Sequence, residues 1–341
     1  MTNSKNMIFE IDLRPGLNVL GRWSSKMIVN QTLSIVIATF VGLSSTRAQT
    51  TLISKWEIGK TLNYEIEDSS STNIKGDDGD FFELSIRLKL DTTWKAEKVL
   101  GDGSVKLSVG IDRVRFSAAG KGAAAASPDL TFDSNKEIVY KQNPGKLVAL
   151  VLKEYVGPVG TVTIDRRGGL TGFSASKDLV EMWKNSSELA GFYGDIFMLE
   201  GVRDLLTAWL VAFPGDSVPN GQTWNKEQVS RFGEEFTSVR NYKLIGPIIK
   251  DAVSLIQIDV TSKIKEAALQ GPGGLPGIGI EQKITEKEGS GQVFLDNKTR
   301  HIRKFVLHQK LDVKSDSSDI KSKYEYSANL RQGKQVDTAK P

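Results

Sequence analysis

The sequence predicts an α+β protein dominated by β structure, in which a curved antiparallel sheet, or sheets, built from long hairpins carries central helices on one face. Three observations lead there. Apolar and polar residues alternate over unusually long stretches, as in Leu84, Ile86, Leu88 and Leu90. Turn signals such as Gly101-Asp102-Gly103 separate those stretches and imply hairpins. One central segment, Phe197 to Phe213, changes to helical spacing: Leu199, Val202, Leu205, Leu206, Trp209, Leu210 and Phe213 share a stripe, with Glu200, Arg203 and Asp204 turned away. Pro214-Gly215 ends it.

The chain opens with a leader. Leu33 to Leu43 is an apolar run of signal-peptide length, preceded by Arg22 and Lys26 and followed by small residues up to Ala48. It is shorter than the roughly 20 residues that span a bilayer. Export to the periplasm or the medium is therefore expected, with residues 1–48 as a signal peptide and no stable membrane insertion after cleavage. The competing reading is an uncleaved anchor. Glu10, Asp12 and Pro15-Gly16 are unusual in a leader and point to a start codon set too far upstream.

Beyond it, Leu62, Tyr64 and Ile66 alternate as a half-buried strand, and the polar loop Ser69 to Asp80 follows. Phe82 to Val99 and Val105 to Ile111 form a long hairpin about Gly101-Asp102-Gly103. Gly120 to Pro128 reads as a mobile loop tip, and Lys146 to Tyr155 as a short helix ended by Gly157-Pro158. Val162 to Phe173 is a strand, a glycine turn and a strand; Ser176 then caps a helix carrying Leu179, Met182, Trp183 and Leu189. Past Pro214 the plan restarts. Gly221-Gln222-Thr223-Trp224 echoes Gly59-Lys60-Thr61-Leu62, Tyr242 to Val260 echoes the first hairpin, and Gln292 to Phe305 echoes Val162 to Phe173. Three echoes in one order imply internal duplication. The expected division is 49–175 and 216–331 as β-rich halves, 176–215 as the central helical segment, and 332–341 as a disordered tail.

Composition excludes several classes. With 39% hydrophobic and 25% charged residues, the chain of 341 residues can bury a core. Lys5, Arg14, Arg22, Lys26 and Arg47 place most of the formal charge of +4 in the leader. The remainder is nearly neutral, so nucleic acid is not an expected partner. No cysteine is present, which removes disulfides, thiolate metal sites and a lipid-modified cysteine. The two histidines, His301 and His308, point to opposite faces of any strand they share, and no nucleophile elbow, zinc-protease motif or phosphate loop occurs. The acidic stretch Gly76 to Asp80 lacks the ladder of a calcium loop. Asp165 and Asp296 occupy matching places in the two halves; Asp at a tight turn normally bonds the turn's own amides. No catalytic residue, metal or cofactor is expected.

The aromatic residues Trp183, Phe192, Tyr193, Phe197, Trp209 and Phe213 cluster in the central segment, where they either cover the sheet or line an apolar pocket. The motifs Gly59-Lys60-Thr61 with Tyr64, Trp94 before Gly101-Asp102-Gly103, Val162 to Phe173, and Pro219-Asn220-Gly221-Gln222-Thr223-Trp224 resemble an uncharacterised family of exported bacterial proteins, a domain of unknown function. That resemblance implies no activity and no site residues. The long hairpins with covering helices also look like the half-barrel of periplasmic lipoprotein carriers, a likeness of fold. The expected function is a non-enzymatic exported protein that binds a lipid, another apolar ligand or an envelope protein, with Trp183, Phe197, Leu205, Trp209 and Phe213 as ligand contacts. The alternative is a structural or protein-interaction module of the envelope with a solid core. A hydrolase of unfamiliar design is a third reading; it needs polar groups with perturbed pKa values gathered in a cleft.

Overall fold

The computed structural model describes residues 48–76, 79, 81–122, 129–137, 145–185, 199–230, 235–268, 283–286, 288–314 and 318–331. The leader through Arg47, Phe192, Tyr193, Phe197, most of the Gly120 to Pro128 segment and the tail lie outside them, as does the side chain of Trp183.

Among the described residues the β-rich expectation holds. A sheet of 13 strands runs in the order β7-β6-β4-β3-β2-β15-β14-β13-β11-β10-β9, with β5 added on β4 and β12 on β14. Every pairing is antiparallel. The first meander comprises β2 (Thr61–Gly76), β3 (Phe81–Val99), β4 (Val105–Gly122), β6 (Gly157–Ile164) and β7 (Leu170–Ala175), with β5 at Leu130–Asp133. The second comprises β9 (Thr223–Ser230), β10 (Glu235–Lys250), β11 (Val253–Ala268), β13 (Glu288–Asp296), β14 (Ile302–Lys314) and β15 (Ser318–Arg331), with β12 at Lys283–Glu286. They join where β15 pairs with β2, from Ser318 opposite Gly76 to Arg331 opposite Asn63. The segments that echo one another in sequence occupy corresponding places in the two meanders. β4 also continues to Gly122, where a loop is expected from sequence, because its pairing with β3 extends to Phe82 opposite Gly122.

Period-two alternation decides which face is buried. On β2 the pattern buries Leu62, Tyr64, Ile66 and Asp68 and leaves their neighbours partly exposed. The opposite face of the seam carries charge. There Glu65 meets Lys89 of β3 at 2.9 Å, Arg115 of β4 at 3.4 Å and Arg331 of β15. Burial alone would raise the Glu65 pKa, but Lys89 and Arg331 outweigh it and pull the carboxyl down to about 2.

Three helices are described: α1 (Gly145–Glu154), α2 (Lys177–Asn185) and α3 (Leu199–Thr207). Ser176 caps α2 as its sequence position predicts, accepting the Leu179 amide at 3.2 Å. α1 buries Val148, Ala149 and Leu152.

The sheet curls. Ten steps of about 4.8 Å would set β7 and β9 about 48 Å apart if it were flat. Yet the Phe213 amide donates to Arg167 O in the β6–β7 turn at 2.8 Å, and Trp224 Nε1 of β9 donates to Ala212 O at 3.0 Å. Two adjacent residues therefore touch both ends of the strand order. At this narrow end residues 48–60 form a strap. β1 (Gln49–Thr51) pairs with β8 (Ser217–Pro219), the Lys55 amide reaches Thr299 O at 2.9 Å, and the Gly59 amide reaches Ala96 O at 2.7 Å. Leu52 of the strap is fully buried.

Candidate ligand-binding interior

The concave face is built in rows, because residues opposite one another on antiparallel strands lie side by side. The rows nearest the strap are largely apolar: Trp94 lies opposite Leu62 and Tyr64 opposite Thr92, and Trp209 packs on both rings, with centroids 4.4 Å from Tyr64 and 5.2 Å from Trp94. Of the residues that sequence singles out as ligand contacts, Leu205, Trp209 and Phe213 are buried in the core over the narrow end. Trp183 lies in α2 with its side chain undescribed, and Phe197 is outside the described residues.

The predicted helix reaches Phe213; the observed α3 stops at Thr207. Side chains of the sheet replace the helical partners. Tyr326 Oη donates to Leu205 O at 2.7 Å, and Arg240 Nη1 donates to Ala208 O at 2.5 Å. The cation of Arg240 faces the negative end of the helix. The stripe residues past Thr207 remain buried although their backbone leaves the helix.

Two further rows hold polar groups that the sequence reading does not single out. One contains Tyr326 beside Asp68. Asp68 is buried, which pushes its carboxyl up to about 8, so it holds its proton at neutral pH. The next runs Lys226, Arg240, Ser262, Gly289, Gln309, Tyr324, Ser70, Ile86 across seven further pairings. Arg240 Nε, Ser262 Oγ and Gln309 Oε1 are buried and have no hydrogen-bond partner. Burial and the Arg240 charge together push the Lys226 pKa down, against a smaller opposing pull from Asp165. A sequence signal for this row exists: these residues continue the alternation of apolar strand faces at positions where the apolar type is replaced.

Asp165 and Asp296 serve their turns. Asp165 accepts the amides of Arg167 and Gly169 at 2.7 and 2.9 Å; Asp296 accepts those of Lys298 and Thr299, both at 2.9 Å. Burial would raise the Asp296 pKa, but these amides and Arg303 lower it to about 2. His301 is buried against Trp56, with centroids 4.6 Å apart, and burial pushes its pKa down to about 4. His308 sits on the opposite face beside Glu325, 3.4 Å away. That face also bears a depression of about 680 Å³ floored by Ser69, Ser71, Ser85 and Ser117 and walled by Arg87, Lys310, Lys323 and Glu325. Among the described residues no cluster of three or more His, Cys, Asp or Glu could hold a metal, and no helix is long and apolar enough to cross a membrane.

No family model and no curated protein matches the chain. Among solved structures it is similar to lipovitellin, from a structure of its lipid–protein interactions, with TM-score 0.45 and 9% identity over 81% of this chain. The match spans 25% of the lipovitellin chain. It is also similar to DynF from the dynemicin biosynthesis pathway of Micromonospora chersina, with TM-score 0.17 and 4% identity over 83% of this chain and 85% of that one. A third is OccK7 (OpdD) of Pseudomonas aeruginosa, with TM-score 0.21 and 7% identity over 80% of this chain and 99% of that one. At these scores the likenesses carry no functional argument.

Proposed function

We propose that this protein is an exported, non-enzymatic binder of a lipid or another apolar ligand, held on the concave face of the curled sheet. The observation that carries this reading is that the strands outrun α3. Past the row through Arg240 and Ser70, β2 continues from Ser71 to Gly76, about 20 Å of strand. The same face there presents Ile74, Leu84 and Ile320, each only half-buried. Such a surface is apolar, concave and flanked by polar groups, the composition of a small-molecule site. Leu205, Trp209 and Phe213 would form its closed floor. Export rests on the leader, and the duplication rests on the matching order of the two meanders. The packed Tyr64, Trp94 and Trp209 cluster favours the second reading, an envelope interaction module with a solid core.

Native mass spectrometry of the protein purified from a bacterial envelope, with solvent extraction of the bound fraction, tests the proposal. A discrete added mass that extracts as lipid is expected, together with micromolar binding of N-phenyl-1-naphthylamine that Leu84→Asp weakens about tenfold, the scale of one buried side chain. A bare chain that ignores the probe would move the assignment to the interaction module.

A further inference from the structure

We propose that the polar row on the concave face receives the head of an acidic lipid, with Arg240 and Lys226 taking its anionic oxygens and Ser262 and Gln309 its hydroxyl. The inference rests on the apolar-ligand reading above and names the chemistry of the ligand's head. Arg240 is 5% exposed, bonds Ala208 O through Nη1 and lies 5.6 Å over the Phe305 ring. Its Nε has no partner, and among the described residues no carboxylate forms an ion pair with it. Lys226 stands directly opposite on β9, so two cations share a partly dry site. An anion between them would relieve both, since a desolvated charge is costly until it is paired.

The remaining groups fix the rest of the head. Ser262 lies opposite Arg240 and is 3% exposed, with Oγ unpartnered. Gln309 is two strands further on, but Gly289 between them carries no side chain, and the Gln309 amide occupies that notch. A Cβ on Gly289 would lie 2.7 Å from Gln309 Oε1. Oε1, also unpartnered, needs a donor from the ligand. A phosphate next to a free hydroxyl, as in a phosphoglycerol head, supplies both. Asp68 in the neighbouring row holds its proton at neutral pH and so does not repel such a head. The half-buried Ile86 ends this row, and Leu84 and Ile74 continue from it along the path an acyl chain would take.

The test compares lysophosphatidylglycerol with a monoacylglycerol of the same acyl chain, each displacing N-phenyl-1-naphthylamine from the full chain. Lysophosphatidylglycerol should bind about tenfold tighter, the scale of one charge-assisted pairing, and Arg240→Gln and Lys226→Met should each shrink that ratio several-fold. If Arg240→Gln fails to fold because Ala208 O loses its donor, Lys226→Met on the edge strand carries the test. Equal affinity for the two lipids, or a preference that Lys226→Met leaves intact, overturns this inference and leaves the apolar-ligand reading standing. Binding of neither lipid overturns both.

Discussion

At the scale of single residues, two buried titratable groups pull the pH dependence of stability in opposite directions. Asp68 has a folded pKa of about 8, above the value near 3.9 of an unfolded carboxyl. Its contribution is whole below about pH 4 and is lost as pH rises through 8, because the unfolded chain releases the proton first. His301 has a folded pKa of about 4, below its unfolded value near 6.5. Its contribution is whole above 6.5 and is lost as pH falls toward 4. Asp68→Asn should therefore remove the alkaline loss and keep the acidic one. Denaturant unfolding at pH 5 and pH 9 checks this: the wild type should lose about 4 kcal/mol relative to the variant between them. Parallel pH profiles would show that the carboxyl is ionised in the folded protein.

At the scale of elements, what the sequence makes legible is whatever its periodicity records. The β3–β4 and β10–β11 hairpins follow from long alternation, and the cap of α2 from Ser176. The end of α3 does not follow, because Leu205, Trp209 and Phe213 keep helical spacing while the carbonyls of Leu205 and Ala208 bond to the sheet. Those partners, Arg240 and Tyr326, lie far along the chain and carry no local signal. The polar row is legible only once register aligns Arg240 with Ser262 and Gly289 with Gln309. The β10–β11 turn offers a direct measurement. Asp251 and Ala252 adopt φ of 51° and 61°, the pair of positive values that a two-residue hairpin turn demands. Ala tolerates that region poorly, so Ala252→Gly should raise stability by about 1 kcal/mol, read as an upward shift of the unfolding midpoint. A lower midpoint would mean that glycine's extra freedom in the unfolded chain outweighs the relieved strain.

At the scale of the whole molecule, the two meanders share one sheet, and this decides how they unfold. The β2–β15 seam pairs fourteen positions, from Ser318 opposite Gly76 to Arg331 opposite Asn63, and Glu65 binds cations from β3, β4 and β15 across its outer face. On the inner face, α3 and its extension bond Tyr326 and Arg240 of the second meander while Trp209 packs on Tyr64 and Trp94 of the first. The strap adds a third tie, since Leu52 donates to Asp216 O, Lys55 to Thr299 O and Gly59 to Ala96 O. Neither meander keeps its core if the other opens. Hydrogen exchange of β3 and β4 in the first meander and of β10 and β11 in the second should therefore report one common denaturation midpoint. Leu52→Ala should lower it for both meanders together by about 2 to 5 kcal/mol, the cost of emptying a fully buried leucine site. Two separate midpoints, or a Leu52→Ala effect confined to one meander, would mean that the halves fold as independent domains joined by a weak seam.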